Sequence, residues 1–260
     1  MKKGVKNRTP DSYRRRSYRS LASEEELVST FFKLKETDLH ILAARDVTEE
    51  AAELATRYRL QIENYLSGHP DFGSSLPPLE PDELAPPVVG RMLQAARKCG
   101  VGPMAAVAGG IAEFVGRGLL DAGYKELIVE NGGDIYLNRS AELTVSVYAG
   151  QSPLSNRLGL NILPAQMPLG ICTSSGTVGH SLSFGLADSV TVLADSAFLA
   201  DAAATRLGNE VGSAGKSGKG IEQALEVSKS IPLLRGVLII CGEKIGAVGE
   251  IELTPLSGDR

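Results

Sequence analysis

The run from Cys172 to Asn209 holds most of the residues able to do chemistry. It opens on Thr173, Ser174, Ser175, Gly176 and Thr177, small residues that present backbone N–H groups and hydroxyls, and His180 follows. Asp201 and Thr205 come last, four residues apart in an Ala-rich stretch that suits a helix. At that spacing their oxygens leave one helix face, one turn apart. A hydroxyl-rich loop beside an oxygen-bearing helix face can hold a phosphate and a hard cation. The same residues also read as a Ser/Gly turn and a small-residue helix packed tightly on a sheet. From the residues alone both readings stand.

A second polar constellation is Glu130-Asn131-Gly132-Gly133-Asp134, set between the apolar runs ELIV and IYL. Asn-Gly between two such runs is a strong hairpin signal. Its carboxylates and turn amides can grip a polar ligand edge, or they are solvated acids on a tight turn.

The elements around these residues follow from periodicity. Residues 30–45 alternate as a hairpin with its turn at Thr37-Asp38. Asp46 is expected to cap a long helix that Gly68 and Pro70 end. Six prolines between Pro70 and Pro87 predict an extended connector with no regular structure. Helices are expected over 88–100 and from Pro103 to about Leu120, the second carrying Gly109, Gly110 and Gly116. Each glycine inside a helix costs about 1 kcal/mol against alanine, so close approach of another backbone or of a ligand must account for them. Strands are predicted at 126–130, 135–137, 143–148, 158–162, 170–173, 189–194, 236–241 and 244–248, with a last helix over 221–228. Strands outnumber helices and several neighbours are hairpin-linked, which predicts an α+β fold with a largely antiparallel sheet. Neither GxGxxG nor GxxxxGK[ST] occurs.

A chain of 260 residues with 43% hydrophobic and 22% charged residues is ordinary for a globular protein. No apolar run approaches the roughly 20 residues that span a bilayer, and no signal peptide is visible, so the expectation is no membrane and a cytoplasmic location. Residues 1–20 carry eight Lys/Arg against Asp11, a net of +7, while the rest of the chain is at −11. This divides the chain into a basic arm over 1–20, expected to be disordered, and one domain over 21–260. Such an arm could touch nucleic acid; a solvated terminus is the plainer reading. Cys99, Cys172 and Cys241 form no zinc spacing and read as buried hydrophobes, with Cys172 a lesser candidate nucleophile.

Four segments together resemble the ApbE superfamily, the FAD:protein FMN transferases: GPMAAVAGGIAEFVG (102–116), VENGGDIYL (129–137), CTSSGTVGHSLSFGLADSVTVLA (172–194) and LADAAATRLGN (199–209). They are most similar to an ApbE-like branch known mainly by likeness to the enzymes. The resemblance implies a T-fold-like α+β architecture, FAD as ligand and Mg²⁺ at its diphosphate. It further implies Asp201 and Thr205 as metal ligands, with a backbone carbonyl near Gly110. Asn131, Gly132, Gly133 and Asp134 would stand at the flavin with Thr173, Ser174, Ser175 and Gly176, and His180 and Asp201 would be catalytic. Two departures are visible: Glu113 stands where the enzymes usually carry a Lys, and a short TVGHSLSFGLAD replaces a longer His-containing segment. Three functions follow as expectations. The first is Mg²⁺-dependent FMN transfer, to an acceptor protein, or FAD hydrolysis. The second is a non-catalytic protein binding a flavin or another small molecule. The third is an assembly protein whose glycine-rich helix is only packing.

Overall fold

The computed structural model describes residues 27–176, 186–212 and 219–256. The basic arm lies outside them. The first hairpin is β1 (Val28–Leu34) and β2 (Thr37–Ala43). Its turn is Lys35-Glu36, with Lys35 at φ 53°, two residues before the expected place. Thr37 and Asp38 already belong to the ladder, paired with Leu34 and Lys33.

Helix α1 (Thr48–Gly68) begins where Asp46 Oδ1 accepts the Thr48 N–H at 2.9 Å. The proline-rich connector contains one short helix, α2 (Pro70–Ser74), where Pro70 suits a first turn, and is otherwise irregular. Next comes α3 (Pro87–Cys99), closed by Gly100 in the left-handed region at φ 69°. A 3-10 turn (Pro103–Ala106) then leads into α4 (Val107–Asp121), so the single expected helix is two pieces.

The remaining elements are β3 (Leu127–Asn131), β4 (Asp134–Asn138), β5 (Leu143–Ser146), β6 (Leu158–Ile162), β7 (Leu169–Ser174), β8 (Ser189–Ala194), α5 (Ala197–Val211), α6 (Lys219–Ser228), β9 (Leu234–Cys241), β10 (Lys244–Gly249) and β11 (Leu253–Pro255). Only β11 has no counterpart among the expected strands; three residues are too few for a period to register.

Eight strands form one sheet in the order β1-β2-β3-β4-β7-β8-β9-β10, and every neighbouring pair is antiparallel. The fold is therefore α+β with a largely antiparallel sheet and packed helices. A second sheet, β11-β6-β5, covers the opposite face. Alternation along each strand divides the core in two. Leu39, Ile41, Val129, Tyr136, Cys172, Val192 and Ile239 face the helices. Leu42, Ile128, Ile135, Leu137, Ile171, Leu193 and Leu238 face the small sheet.

The helix layer is unusually close to the sheet at α5. A Cβ on Gly170 would stand 2.5 Å from the Cα of Ala197, and one on Gly109 would stand 2.4 Å from the Ala197 carbonyl oxygen. Ala197, Ala200, Ala203 and Ala204 are all buried along the same helix. The glycines of α4 thus have the packing reason their helical cost requires: Gly109 meets α5 and Cys172, Gly110 the Phe198 ring, and Gly116 the Tyr136 ring.

Gly109→Ala drives a methyl into backbone rather than a movable side chain. It should destabilise the protein by about 1–3 kcal/mol or more, measured by urea unfolding, despite alanine's better helix propensity.

Candidate functional site

The hairpin β3-β4 places the first group of polar residues. Gly132 and Gly133 form its two-residue turn at φ 70° and 110°, conformations that need glycine at both positions. Among the described residues, nothing lies within 4 Å of where a Cβ would stand on either. Glu130 Oε1 accepts the Gly133 N–H at 2.8 Å and fixes the turn. Asn131 and Asp134 are opposite each other in the ladder. Both lie on the helix-facing side by alternation, and both are buried.

Their side chains have different duties. Asn131 Nδ2 donates to the Ala108 carbonyl at 3.0 Å, and its Oδ1 accepts the Asp38 N–H at 3.3 Å. It therefore latches β2 and the first turn of α4 to the hairpin. Asp134 Oδ1 accepts the Thr173 N–H at 3.2 Å, which ties the hairpin to β7.

Asp201 approaches from the helix layer. Its Oδ2 accepts the Gly109 N–H at 2.9 Å, at the first turn of α4, where a carboxylate is favoured by the exposed amides. Thr205 lies one turn further along the same face of α5. Asp134 and Asp201 are close enough to repel each other. Burial, and then that repulsion, raise Asp201 well above the ordinary carboxylate range. Burial first, with a contribution from Glu130, pushes Asp134 up to about 7. Two hydrogen-bonded carboxyls that resist ionising together favour a shared proton or a cation between protein and ligand.

Beside them, Ser174 is buried with no hydrogen-bond partner for its Oγ among the described residues. A buried hydroxyl without a partner costs about 1–3 kcal/mol, so it calls for one. The thiol of Cys172 points to the Ala197 carbonyl at 3.4 Å and is raised by burial and by Asp134. It is a packed hydrophobe rather than a nucleophile.

The structure thus brings Asp134, Ser174, Asp201 and the Gly132-Gly133 turn to one end of the helix-facing sheet surface. Thr173 contributes its N–H, while its hydroxyl pairs with Thr191 at 2.9 Å on the other face of β7. Gly176 closes the base of its loop by donating to the Ala187 carbonyl at 3.1 Å, and Ser175 precedes it. Gly110 packs on Phe198, next to the Gly109 amide that holds Asp201. His180 and Thr177 lie outside the described residues.

Glu113 has a different place from the one its position suggested. It is fully buried, and its Oε2 accepts the Ser196 hydroxyl at 2.8 Å and the Ala197 N–H at 2.7 Å. Its Oε1 accepts Arg117 Nε at 2.8 Å, with Arg91 at 3.6 Å. The carboxylate caps the start of α5. A Ser196 beginning a helix opposite a lone interior Glu was the available signal, and it is visible only when the two segments are known to touch.

With this geometry in hand, comparisons with known proteins are informative. A family described as AbpE bacteria matches residues 19–245. The chain belongs to that family. Among its relatives, the UPF0280 protein of Methanosarcina acetivorans is 45% identical over 225 residues, covering 86% of this chain and 87% of the relative. A UPF0280 protein of Methanococcus maripaludis is 45% identical over 195 residues, covering 74% and 78%. Among solved structures, the flavin transferase ApbE from Vibrio cholerae superposes with a TM-score of 0.54 at 15% identity, over 86% of this chain and 98% of that one. The ApbE protein of Thermotoga maritima gives 0.54 at 13%, over 85% and 96%. The fold of this family member is thus ApbE-like. Among the described residues no single helix is long and apolar enough to cross a membrane.

Two measurements check the site's electrostatics. A carboxyl raised in the fold keeps its proton more tightly folded than unfolded. Its contribution to stability is complete below the unfolded value of about 3.9 and is lost as pH rises through about 7. In buffer free of divalent cations, the Tm of Asp134→Asn relative to wild type should therefore climb between about pH 4 and pH 7 and level off above. A difference that stays flat would mean Asp134 ionises normally. Separately, Glu113→Lys should lose about 3–5 kcal/mol in denaturant unfolding, because it leaves Arg91, Arg117 and the α5 amides without their acceptor.

Proposed function

We infer that the chain binds a flavin dinucleotide, FAD, with Mg²⁺, at the end of the sheet where Asp134, Ser174 and Asp201 meet. The observation that carries this reading is the buried carboxyl pair beside a hydroxyl with no partner among the described residues, next to a glycine turn over which no described residue stands. The donor set fits the ion: carboxylates and hydroxyls are hard oxygen ligands, and a divalent cation would relieve the repulsion that raises both acids. Asp201 and Thr205 would hold Mg²⁺ together with a carbonyl near Gly110. Bound there, the ion would neutralise diphosphate charge and favour displacement at phosphorus.

The chain's own residues supply position. Asn131 holds the first turn of α4 against the hairpin, so the Gly109 amide meets Asp201 at a fixed distance. Ser174 offers the ligand a hydroxyl that no described residue claims, and Gly132 and Gly133 leave room for a flat ring system to come close. His180 would donate or accept the proton at the scissile bond. The activity we propose is cleavage of the FAD diphosphate, releasing AMP as FMN passes to a hydroxyl of an acceptor protein, or to water. The ApbE-like fold and the flavin transferase described for the Vibrio cholerae protein support this class of ligand.

A thermal-shift series with FAD, FMN and ATP, in Mg²⁺ and in EDTA, tests the binding. FAD at a hundred times its Kd should raise Tm by about 5–10 °C, and only with Mg²⁺. Asp201→Asn keeps an acceptor for the Gly109 amide, so the protein should stay folded and lose the Mg²⁺-dependent shift. Ser174→Ala should leave the free protein as stable or slightly more so, while shrinking the FAD shift. No shift with any flavin in well-folded protein would overturn the reading. A shift without AMP release on long incubation would keep the site and make the protein a flavin carrier.

A further inference from the structure

The most exposed large apolar side chain among the described residues is Leu84, at 95%. It does not lie on a loose segment. Asp82 Oδ1 accepts the Leu84 N–H at 2.9 Å, Asp82 Oδ2 accepts the Tyr65 hydroxyl at 2.8 Å, and the Ala85 N–H donates to the Asp82 carbonyl at 3.3 Å. Pro81 precedes this turn, and Pro86 and Pro87 follow it. The connector is therefore a fixed bracket that holds one leucine out into water.

Directly beside it is a groove of about 420 Å³ along α3. Pro81, Gly90 and Leu93 supply its apolar wall, and Asp82, Gln94, Arg97 and Lys98 its polar one. Gly90 lies inside α3, yet among the described residues nothing comes within 4 Å of where its Cβ would be. The glycine is thus not needed for internal packing, unlike Gly109 or Gly116; its effect is to leave the groove open. Charge completes the match. Arg97 is paired with Glu80 at 3.1 Å, whereas neither Lys98 on the groove nor Glu83 on the bracket has an ion-pair partner among the described residues.

We propose that this face joins two copies of the chain, Leu84 of each entering the α3 groove of the other, with Glu83 meeting Lys98. Knob and groove adjoin, since Pro81 belongs to both. A two-fold axis beside them then seats both knobs at once, as an isologous interface requires. A buried aliphatic anchor ringed by polar contacts is the usual form of a binding hot spot.

Sedimentation velocity of the full chain over a concentration series tests this. Wild type should pass reversibly from a 27.4 kDa species to twice that mass. Leu84→Asp, and Gly90→Glu at its open helical position, should each weaken association about tenfold or more while circular dichroism and Tm stay native. Glu83→Lys or Lys98→Glu alone should weaken it, and the double exchange in one chain should restore it, a recovery that general surface damage would not give. A monomer at every concentration overturns the proposal. So does a dimer whose strength neither Leu84→Asp nor Gly90→Glu changes.

Discussion

The two helices that carry Asp201 and the Gly109 amide are joined by one buried carboxylate, that of Glu113. Taking a charge out of water costs several kcal/mol, and a buried ion persists only where partners replace its hydration. Glu113 has five: the Ser196 hydroxyl, the Ala197 and Phe198 amides, and the guanidinium groups of Arg117 and Arg91. The amides are those a helix N-terminus leaves without intrahelical acceptors, and the two arginines reach in from half-exposed positions. The carboxylate thus fixes where α5 begins, and does so from α4. Once that end is fixed, α5 can lie flat on β7 only because Gly170 and a row of alanines give it room.

From this anchoring the site follows by geometry. Asp201 is four residues into α5 and Gly109 four residues before Glu113 on α4. The two helices that Glu113 joins are therefore the two that Asp201 and the Gly109 amide join one turn further on. The contrast between the two contacts is instructive. At Glu113 every oxygen has partners. One turn away, Asp201 faces a second carboxyl, and Ser174 has a buried hydroxyl with no partner among the described residues. A fold that satisfies one polar cluster completely and leaves its neighbour strained has concentrated its unsatisfied polarity where a ligand can meet it. The stability given up at the acids is affordable because the helices carrying them are rigidly held.

Much of this was legible in the residues. The β3-β4 hairpin followed from Asn-Gly between apolar runs, because only that turn chemistry tolerates two consecutive positive φ values. The helix face of Asp201 and Thr205 followed from a spacing of four. The glycines of α4 were legible as a packing demand, though not as a demand made by Ala197 and Phe198, which lie some ninety residues away. What stayed hidden is of that second kind. Lys35 takes the turn rather than Asp38 because strand register, a tertiary property, decides where the ladder closes. Asn131 stands in the sequence as a turn residue, and its bonds to the Ala108 carbonyl and the Asp38 amide, which latch three elements, are visible only in the fold. Thr173 sits in a hydroxyl-rich run, yet alternation along β7 turns its side chain away and leaves Ser174 facing the acids.

Glu113 shows how such a difference should be weighed. As a bare exchange of an anion for a cation in a motif, it looks like damage to a phosphate site. In the fold its negative charge is matched by two arginines and directed at helix amides, and it lies a full turn of α4, about 5–6 Å, away from the amide that holds Asp201. Both of its oxygens are occupied by groups that do not belong to the site. A charge so placed alters how α4 grips α5 and says little about what Asp201 and Asp134 can hold. The same logic runs the other way for likeness: a fold shared at 15% identity fixes where the helices and strands lie and does not by itself carry the chemistry with it.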